Sequence, residues 1–113
     1  MIPVWKFKFY FGNCRRIIKE LKLIMRDTYV HKGKRKQLID YLHQKIGIAD
    51  SFVLNAMNEV PRHLFIESVF EDYAYEDRAF PIAAKQTISH PSTVAEQTEL
   101  LEVNEGEKIL EIG

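Results

Sequence analysis

The last residues of the sequence set the strongest limit on what the chain can fold into. Ile109, Leu110 and Ile112 form a short β-prone run, and Gly113 follows it directly. A strand that runs into glycine is typical of doubly wound α/β folds, where a glycine-rich turn lets the backbone approach a cofactor. Such a strand is buried on both faces and needs neighbouring strands and covering helices. The chain supplies one good strand of this kind, so the sequence predicts the front part of a larger α/β domain.

The residues before this strand are mainly helical in pattern. Leu38, Leu42 and Ile46 recur every four residues, and Gly47 can end their helix in a left-handed conformation. A second helix is predicted from a cap at Asp50 or Ser51 up to Pro61. Neither helix shows charges on its apolar face, so the two are expected to pack together within a helical subdomain at about 33–75.

Residues 79–90 change character. Phe80-Pro81-Ile82 and Gln86-Thr87-Ile88-Ser89 predict two short extended pieces around a loop. Pro91 fits the first position of a helix at about 91–102, with Ser89 or His90 as its N-cap. The first core strand is then expected at about 108–112.

Residues 1–24 differ from the rest of the sequence. They hold six of the sixteen basic residues and one of the sixteen acidic ones, together with a cluster of aromatic side chains. A cationic amphipathic element on a membrane surface is one interpretation. The alternatives are an extra surface helix and an upstream extension that is not native, with Met25 as a candidate start. The acidic balance of residues 25–113 disfavours a nucleic-acid partner.

Cys14 is the single cysteine, and no apolar run reaches the roughly 18–20 residues that span a bilayer, so we expect a cytoplasmic protein without membrane attachment.

Several separated segments resemble the protein-L-isoaspartate O-methyltransferase family in order and spacing, from about Asp27 to Gly113. Lys32-Gly33 with Arg35-Lys36-Gln37-Leu38 resembles the start of the family's first helix. The motifs that carry the resemblance are Val60-Pro61-Arg62-His63-Leu64-Phe65, Tyr73-Ala74-Tyr75-Glu76-Asp77, Phe80-Pro81-Ile82, Gln86-Thr87-Ile88-Ser89-His90-Pro91, Val94-Ala95, Thr98-Glu99-Leu100-Leu101 and Ile109-Leu110-Glu111-Ile112-Gly113.

The resemblance implies a fold and an activity. The fold is α/β, with an N-terminal helical segment leading into the first strand of a Rossmann-like class I methyltransferase that uses S-adenosyl-L-methionine. The implied reaction methylates the free carboxylate of L-isoaspartyl residues in damaged proteins and peptides, which is a repair function, and a monomer is expected. The chain then corresponds to an N-terminal fragment cut at the first cofactor-loop glycine. Because the rest of that loop and the acidic ribose-binding residue lie beyond it, the fragment alone is expected to be inactive.

The resemblance also assigns site residues. Ser89 is the catalytic-site residue, whose hydroxyl would orient the substrate carboxylate or the methyl donor by a hydrogen bond; alternatively, it only caps the helix at Pro91. Arg62 and His63 are candidates to face the substrate, against the alternative of a helix-ending turn. The expected cofactor-binding residues are Gln86, Thr87, Ile88, Ser92, Glu111 and Gly113.

No metal is expected at this site. A carboxylate is already ionised at neutral pH and needs neither a strong base nor a metal to attack a methyl sulfonium. His31, His43, His63 and His90 show no ligand-like spacing with one another or with Cys14.

One position departs from the family pattern. Lys85 stands where the family usually has glycine, and a side chain there could crowd a tight turn. Two other functions stay open: a different class I methyltransferase, acting on nucleic acid or a small molecule, and a non-catalytic helical interaction module.

Overall fold

A computed structural model of the protein describes residues 27–110. The predictions for the basic aromatic extension, Met25, Cys14, Glu111 and Gly113 lie outside the described residues. Within that range, helices are followed by a small hairpin and a last helix. In chain order the elements are α1 (Tyr29–Tyr41), a π-helix (Leu42–Ile46), α2 (Ser51–Glu59), two 3-10 helices (Arg62–Phe65 and Ser68–Tyr73), β1 (Phe80–Ile82), β2 (Gln86–Ile88) and α3 (Pro91–Leu100).

Helix α1 begins with a reciprocal cap. The backbone N–H of His31 donates to Thr28 Oγ1 at 3.3 Å, and the backbone N–H of Thr28 donates to His31 Nδ1 at 3.3 Å. These bonds satisfy N–H groups that have no partner inside the helix. The helix continues into the π-helix and ends at Gly47, whose φ of 91° lies in the left-handed region, as the sequence predicted.

Helix α2 has the predicted cap and the predicted end. Asp50 Oδ1 accepts from the backbone N–H groups of Phe52 and Val53 at 2.7 and 3.2 Å. Val60 leaves the helical region with ψ 119°, as expected for a residue that precedes a proline.

The two predicted extended pieces form an antiparallel hairpin. Phe80 pairs with Ile88, and Ile82 pairs with Gln86. The turn between the strands holds Ala84 and Lys85 at φ 59° and 55°. Both residues therefore occupy the left-handed region. This conformation is unfavourable for a residue with a Cβ atom and is not unfavourable for glycine.

Helix α3 is held at both ends by residues distant in sequence. His90 stands at its N-cap but makes no side-chain cap, and Asp77 Oδ1 accepts instead from the backbone N–H of Ser92 at 2.8 Å. Near the other end, Glu99 Oε1 accepts from the backbone N–H groups of Ala49 and Asp50 at 2.7 and 2.6 Å. The last helix is thus joined to the hairpin side and to the start of α2.

The core lies where the helices meet the hairpin, and its residues come from between Leu38 and Ala95. Two polar residues of α1, His31 and Arg35, are also buried. This differs from the expectation that the apolar face of the first helix carries no charge, because both side chains have polar partners elsewhere in the chain. The buried apolar residues of the cluster are Leu38, Leu42, Ile48, Val53, Ile66, Ala74, Tyr75, Phe80, Ile88 and Ala95.

The sheet in the described residues consists of the two short strands of the hairpin. Residues 107–110 carry no strand, and the remainder of the predicted segment 108–112 lies outside the described range. This mixed helical structure with a small sheet is compatible with the expected α/β class. Across residues 27–110, none of the helices combines the length and the apolar character needed to cross a membrane.

Candidate functional site

Ser89 lies between the end of β2 and the start of α3. Its residue is half-buried, and its backbone carbonyl accepts from Arg62 Nη2 at 2.9 Å. The strand ends at Ile88 because the chain turns there into the proline-initiated helix. Ser89 is therefore fixed through its backbone at the junction of two elements.

The other predicted binding residues in the described range surround this junction but differ in exposure. Gln86 and Thr87 are exposed on β2, whereas Ile88 is only 4% exposed and belongs to the core. Ser92 is half-buried in the first turn of α3, and its backbone N–H is held by Asp77. Gln86 and Thr87 thus have the open side chains that a ligand could reach.

Arg62 is buried beneath this junction, with 6% of the residue exposed. Its Nε donates to the carbonyl of Ala74 at 2.9 Å, and Nη2 donates to the carbonyls of Arg78 and Ser89 at 3.0 and 2.9 Å. Burial lowers the pKa of Arg62 to about 10, an effect that the charge of Asp77 opposes, so the guanidinium stays cationic at neutral pH. The side chain was a candidate to face substrate; the structure places its donors on the backbone of the protein.

A second buried polar cluster joins the start of α1 to the first 3-10 helix and to Tyr75. Arg35 donates from Nη1 and Nη2 to the two carboxylate oxygens of Asp27 at 3.1 and 3.0 Å. Its Nη1 also donates to the Tyr75 hydroxyl at 2.9 Å, and that hydroxyl lies 2.7 Å from His63 Nδ1. His63 stacks on His31 with ring centroids 3.8 Å apart, and His31 Nε2 lies 3.0 Å from Glu71 Oε1.

The charges in this cluster stabilise one another. Burial would raise the pKa of Asp27, but the hydrogen bonds and charge of Arg35 outweigh it and hold that pKa below its ordinary value. Burial would lower the pKa of Arg35, but its bond to Asp27 reverses the effect and raises that pKa. Burial also raises the pKa of the Tyr75 hydroxyl, against the effect of Arg35. The cluster is therefore an ion pair with hydrogen-bonded extensions at neutral pH.

The same cluster brings together potential metal ligands that showed no ligand-like spacing in the sequence. One ligand atom each from Asp27, His31 and His63 lies within 4.8 Å of the others. However, the guanidinium of Arg35 occupies both oxygens of Asp27, and a cation there would have to compete with it. The contact between His31 and His63 depends on tertiary packing, which spacing alone does not reveal. One signal was present: His31 and Arg35 share the helical face of Leu38 and Leu42.

An open cleft of about 610 Å³ lies beside this cluster. Its walls include Lys34, Tyr41, Tyr73 and Asp77. Ser89, Gln86 and Thr87 are not among the lining residues, so the cleft and the predicted site are different surfaces. Asp77 connects them, because its carboxylate also holds the first turn of α3.

Comparison with known proteins assigns the sequence to a family. A family profile described as protein-L-isoaspartate(D-aspartate) O-methyltransferase matches residues 32–113. Proteins named protein-L-isoaspartate O-methyltransferase from Christiangramia forsetii and Flavobacterium psychrophilum are each 61% identical over 89 residues, which cover 79% of this chain and 41% of each relative. One from Dictyoglomus turgidum is 47% identical over 87 residues, or 77% of this chain and 39% of that protein. The chain thus spans about two-fifths of the length of these relatives. With matches of this extent, the chain belongs to the protein-L-isoaspartate(D-aspartate) O-methyltransferase family.

Proposed function

We propose that the chain contributes the Ser89 junction to an enzyme that methylates the free carboxylate of L-isoaspartyl residues in damaged proteins. The observation that carries this proposal is the family match, which includes the Gln86–Ser89 segment on β2 and its end. The names of the relatives specify an isoaspartate methyltransferase, and damaged, isoaspartyl-containing proteins are the corresponding substrates.

The chemistry makes modest demands on the side chains. The substrate carboxylate is ionised at neutral pH, so its oxygen can act as the nucleophile without a base. The task of the protein is to align that oxygen with the methyl carbon and to exclude water. In our proposal the Ser89 hydroxyl orients the carboxylate by a hydrogen bond, and the fixed backbone of Ser89 limits where that hydroxyl can lie.

The cofactor in this proposal is S-adenosyl-L-methionine, which when bound supplies the methyl group as a sulfonium. Gln86 and Thr87 suit a binding role because their side chains are open to solvent beside Ser89. Ile88 and Ser92 would support the pocket from the core side and from the first turn of α3. Glu111 and Gly113 would bind at the end of a first core strand at about 108–112, within a Rossmann-like sheet completed by further strands.

A chimera tests the proposal directly. The 89 matched residues of the Christiangramia forsetii relative are replaced by the corresponding residues of this chain, and methylation of an isoaspartyl peptide is measured. We expect transfer to the isoaspartyl peptide and none to the same peptide with a normal aspartyl linkage. Ser89→Ala should lower kcat by roughly 10-fold or more, since misplaced reacting groups are costly.

Two results would contradict the proposal. A folded chimera that methylates neither peptide would remove the isoaspartyl activity. A Ser89→Ala chimera with unchanged kcat would show that the Ser89 hydroxyl does not orient the substrate carboxylate. The chain of residues 1–113 assayed alone should show no measurable transfer, because it spans 41% of the relative's length.

A further inference from the structure

Both ends of the Ser89–Ser92 segment are held by charged side chains from elsewhere in the chain. The carbonyl of Ser89 accepts from Arg62 Nη2 at 2.9 Å, and the backbone N–H of Ser92 donates to Asp77 Oδ1 at 2.8 Å. Arg62 belongs to the first 3-10 helix, and Asp77 lies in the segment before β1. The two contacts therefore fix a short stretch of backbone from two directions.

The same guanidinium also fixes the segment that carries Asp77. Arg62 donates to the carbonyls of Ala74 and Arg78, which bracket Asp77 in sequence. The planar fork of arginine can hold several acceptors in a set geometry, which a lysine ammonium cannot reproduce as rigidly. A shift of Arg62 would therefore displace the Ser89 carbonyl directly and the Ser92 backbone through Asp77.

The arrangement is more elaborate than stability of the helix requires. A local Ser, Asp or Asn at position 90 could cap α3, but His90 supplies no side-chain cap. The acceptor for the Ser92 N–H comes instead from Asp77, which lies 15 residues before Ser92. Burying the charge of Arg62 is unfavourable unless its donors have acceptors, and here three carbonyls accept from Nε and Nη2. The geometry thus joins the junction to the 74–78 segment instead of capping α3 alone.

We propose that Arg62 and Asp77 are positioning residues that together set the place of Ser89 for methyl transfer, and we call this pair the backbone clamp. The proposal rests on the role of Ser89 given above. Neither side chain touches substrate in this arrangement; both act through backbone atoms of the 89–92 segment.

The kinetic test compares four single-substitution variants of the chimera. Arg62→Met removes every donor, and Asp77→Ala removes the acceptor, so we expect each to lower kcat by about 10- to 100-fold, the scale of a displacement near 1 Å. Asp77→Asn keeps a side-chain oxygen acceptor and should retain kcat within about 3-fold, and Arg62→Lys should recover part of the loss because it keeps a cationic donor. KM for S-adenosyl-L-methionine should change less than kcat, because Gln86 and Thr87 lie outside the 89–92 segment.

A core variant separates positioning from loss of stability. Leu38 is buried in α1 and has no part in the clamp, so Leu38→Ala should lower Tm without changing kcat of the folded enzyme. If Arg62→Met and Asp77→Ala lower kcat no more than Leu38→Ala does at matched fractions folded, the positioning role is overturned.

A second measurement on the 113-residue chain does not depend on activity. Hydrogen exchange of the Ser92 amide should accelerate at least 10-fold in Arg62→Met and Asp77→Ala relative to Leu38→Ala, and remain near parental in Asp77→Asn. Exchange that is the same in all these variants would overturn the clamp. An inactive parental chimera with the expected exchange pattern would instead overturn the isoaspartyl activity and leave the clamp geometry supported.

Discussion

Two arginine side chains are buried in the described part of the chain, and their guanidinium groups have different hydrogen-bond partners. Arg35 binds the carboxylate of Asp27, whereas Arg62 binds three backbone carbonyls. The carboxylate partner raises the pKa of Arg35, and burial without a bonded carboxylate lowers that of Arg62. At the residue scale, the first arginine ties the start of α1 to the core, and the second ties the Ser89 junction to the backbone around it.

The ion pair of Asp27 and Arg35 predicts how the chain responds to acid. The pKa of Asp27 is lower in the folded state than in the unfolded state, so its ionised carboxylate stabilises the fold above the unfolded pKa of about 3.9. This stabilisation is lost as pH falls through the folded pKa. Asp27→Asn should therefore reduce the fall in unfolding free energy between pH 5 and pH 3, measured by urea denaturation. Arg35→Met should cost roughly 3–5 kcal/mol at pH 7, as expected when one partner of a buried pair is removed.

Asp72 provides the matched control for this prediction. Its side chain is exposed and lies 3.5 Å from Lys34 Nζ, so Asp72→Asn should change the acid dependence little. Equal acid dependence in the Asp27→Asn variant and the parent would show that this ion pair does not contribute.

At the element scale, the turn of the hairpin is strained at Lys85. Lys85 has a φ of 55°, and a residue with a Cβ atom in that region costs roughly 1–2 kcal/mol relative to glycine. Lys85→Gly should therefore raise the free energy of unfolding by up to about 1 kcal/mol after the entropy of the unfolded glycine is deducted. Ala83→Gly, at a turn residue without a positive φ, should be neutral or destabilising in the same urea titration. A less stable Lys85→Gly variant would mean that the lysine side chain makes a favourable contribution there.

The contact between α3 and the start of α2 gives a second prediction for the elements. Glu99 accepts two backbone N–H groups, from Ala49 and Asp50, and charge-assisted bonds of this kind contribute about 1.5–3 kcal/mol each to stability when well buried. Because Glu99 is partly exposed, Glu99→Ala should cost about 1–2 kcal/mol in total, by thermal or urea unfolding. Glu96→Ala, on the exposed side of the same helix, is the control and should change stability by less than about 0.5 kcal/mol. Equal effects would show that the cross-helix contact is energetically unimportant.

At the scale of the whole molecule, large apolar side chains are exposed around and after the end of α3. Leu100 and Leu110 are 81% and 83% exposed, and Leu101 is also exposed. Exposed apolar groups of this size bind hydrophobic dyes and favour association. The chain alone should therefore bind more anilinonaphthalene sulfonate than the chimera, in which the added residues of the relative can cover them. Equal dye fluorescence per molecule would indicate that these leucines stay exposed in the longer protein.

Local features of the fold could be predicted from particular residues. Gly47, Asp50 and Pro61 marked helix ends, because backbone conformation and capping depend on nearby residues only. The hairpin was predicted as two extended pieces around a loop, and its pairing of Phe80 with Ile88 follows that pattern. The start of α1 was missed by a few residues, since its capping box at Thr28 uses a histidine in place of the usual Glu or Gln.

Contacts between distant residues were not predictable in the same way. The helical pattern was taken to exclude charge from the buried face of α1, yet Arg35 is buried because Asp27 and Tyr75 lie close to it in space. The strand Gln86–Ile88, with Ser89 directly after it, was predicted from the sequence. The contacts of Arg62 and Asp77 with that junction form only when residues 27 and 15 positions apart in sequence meet. The sequence by itself determined the family, the helix boundaries at Gly47, Asp50 and Pro61, and the place of Ser89 after a short strand, because these depend on local motifs. The tertiary structure alone decided which charges are buried and what they hold, because desolvation and hydrogen bonding depend on neighbours in space.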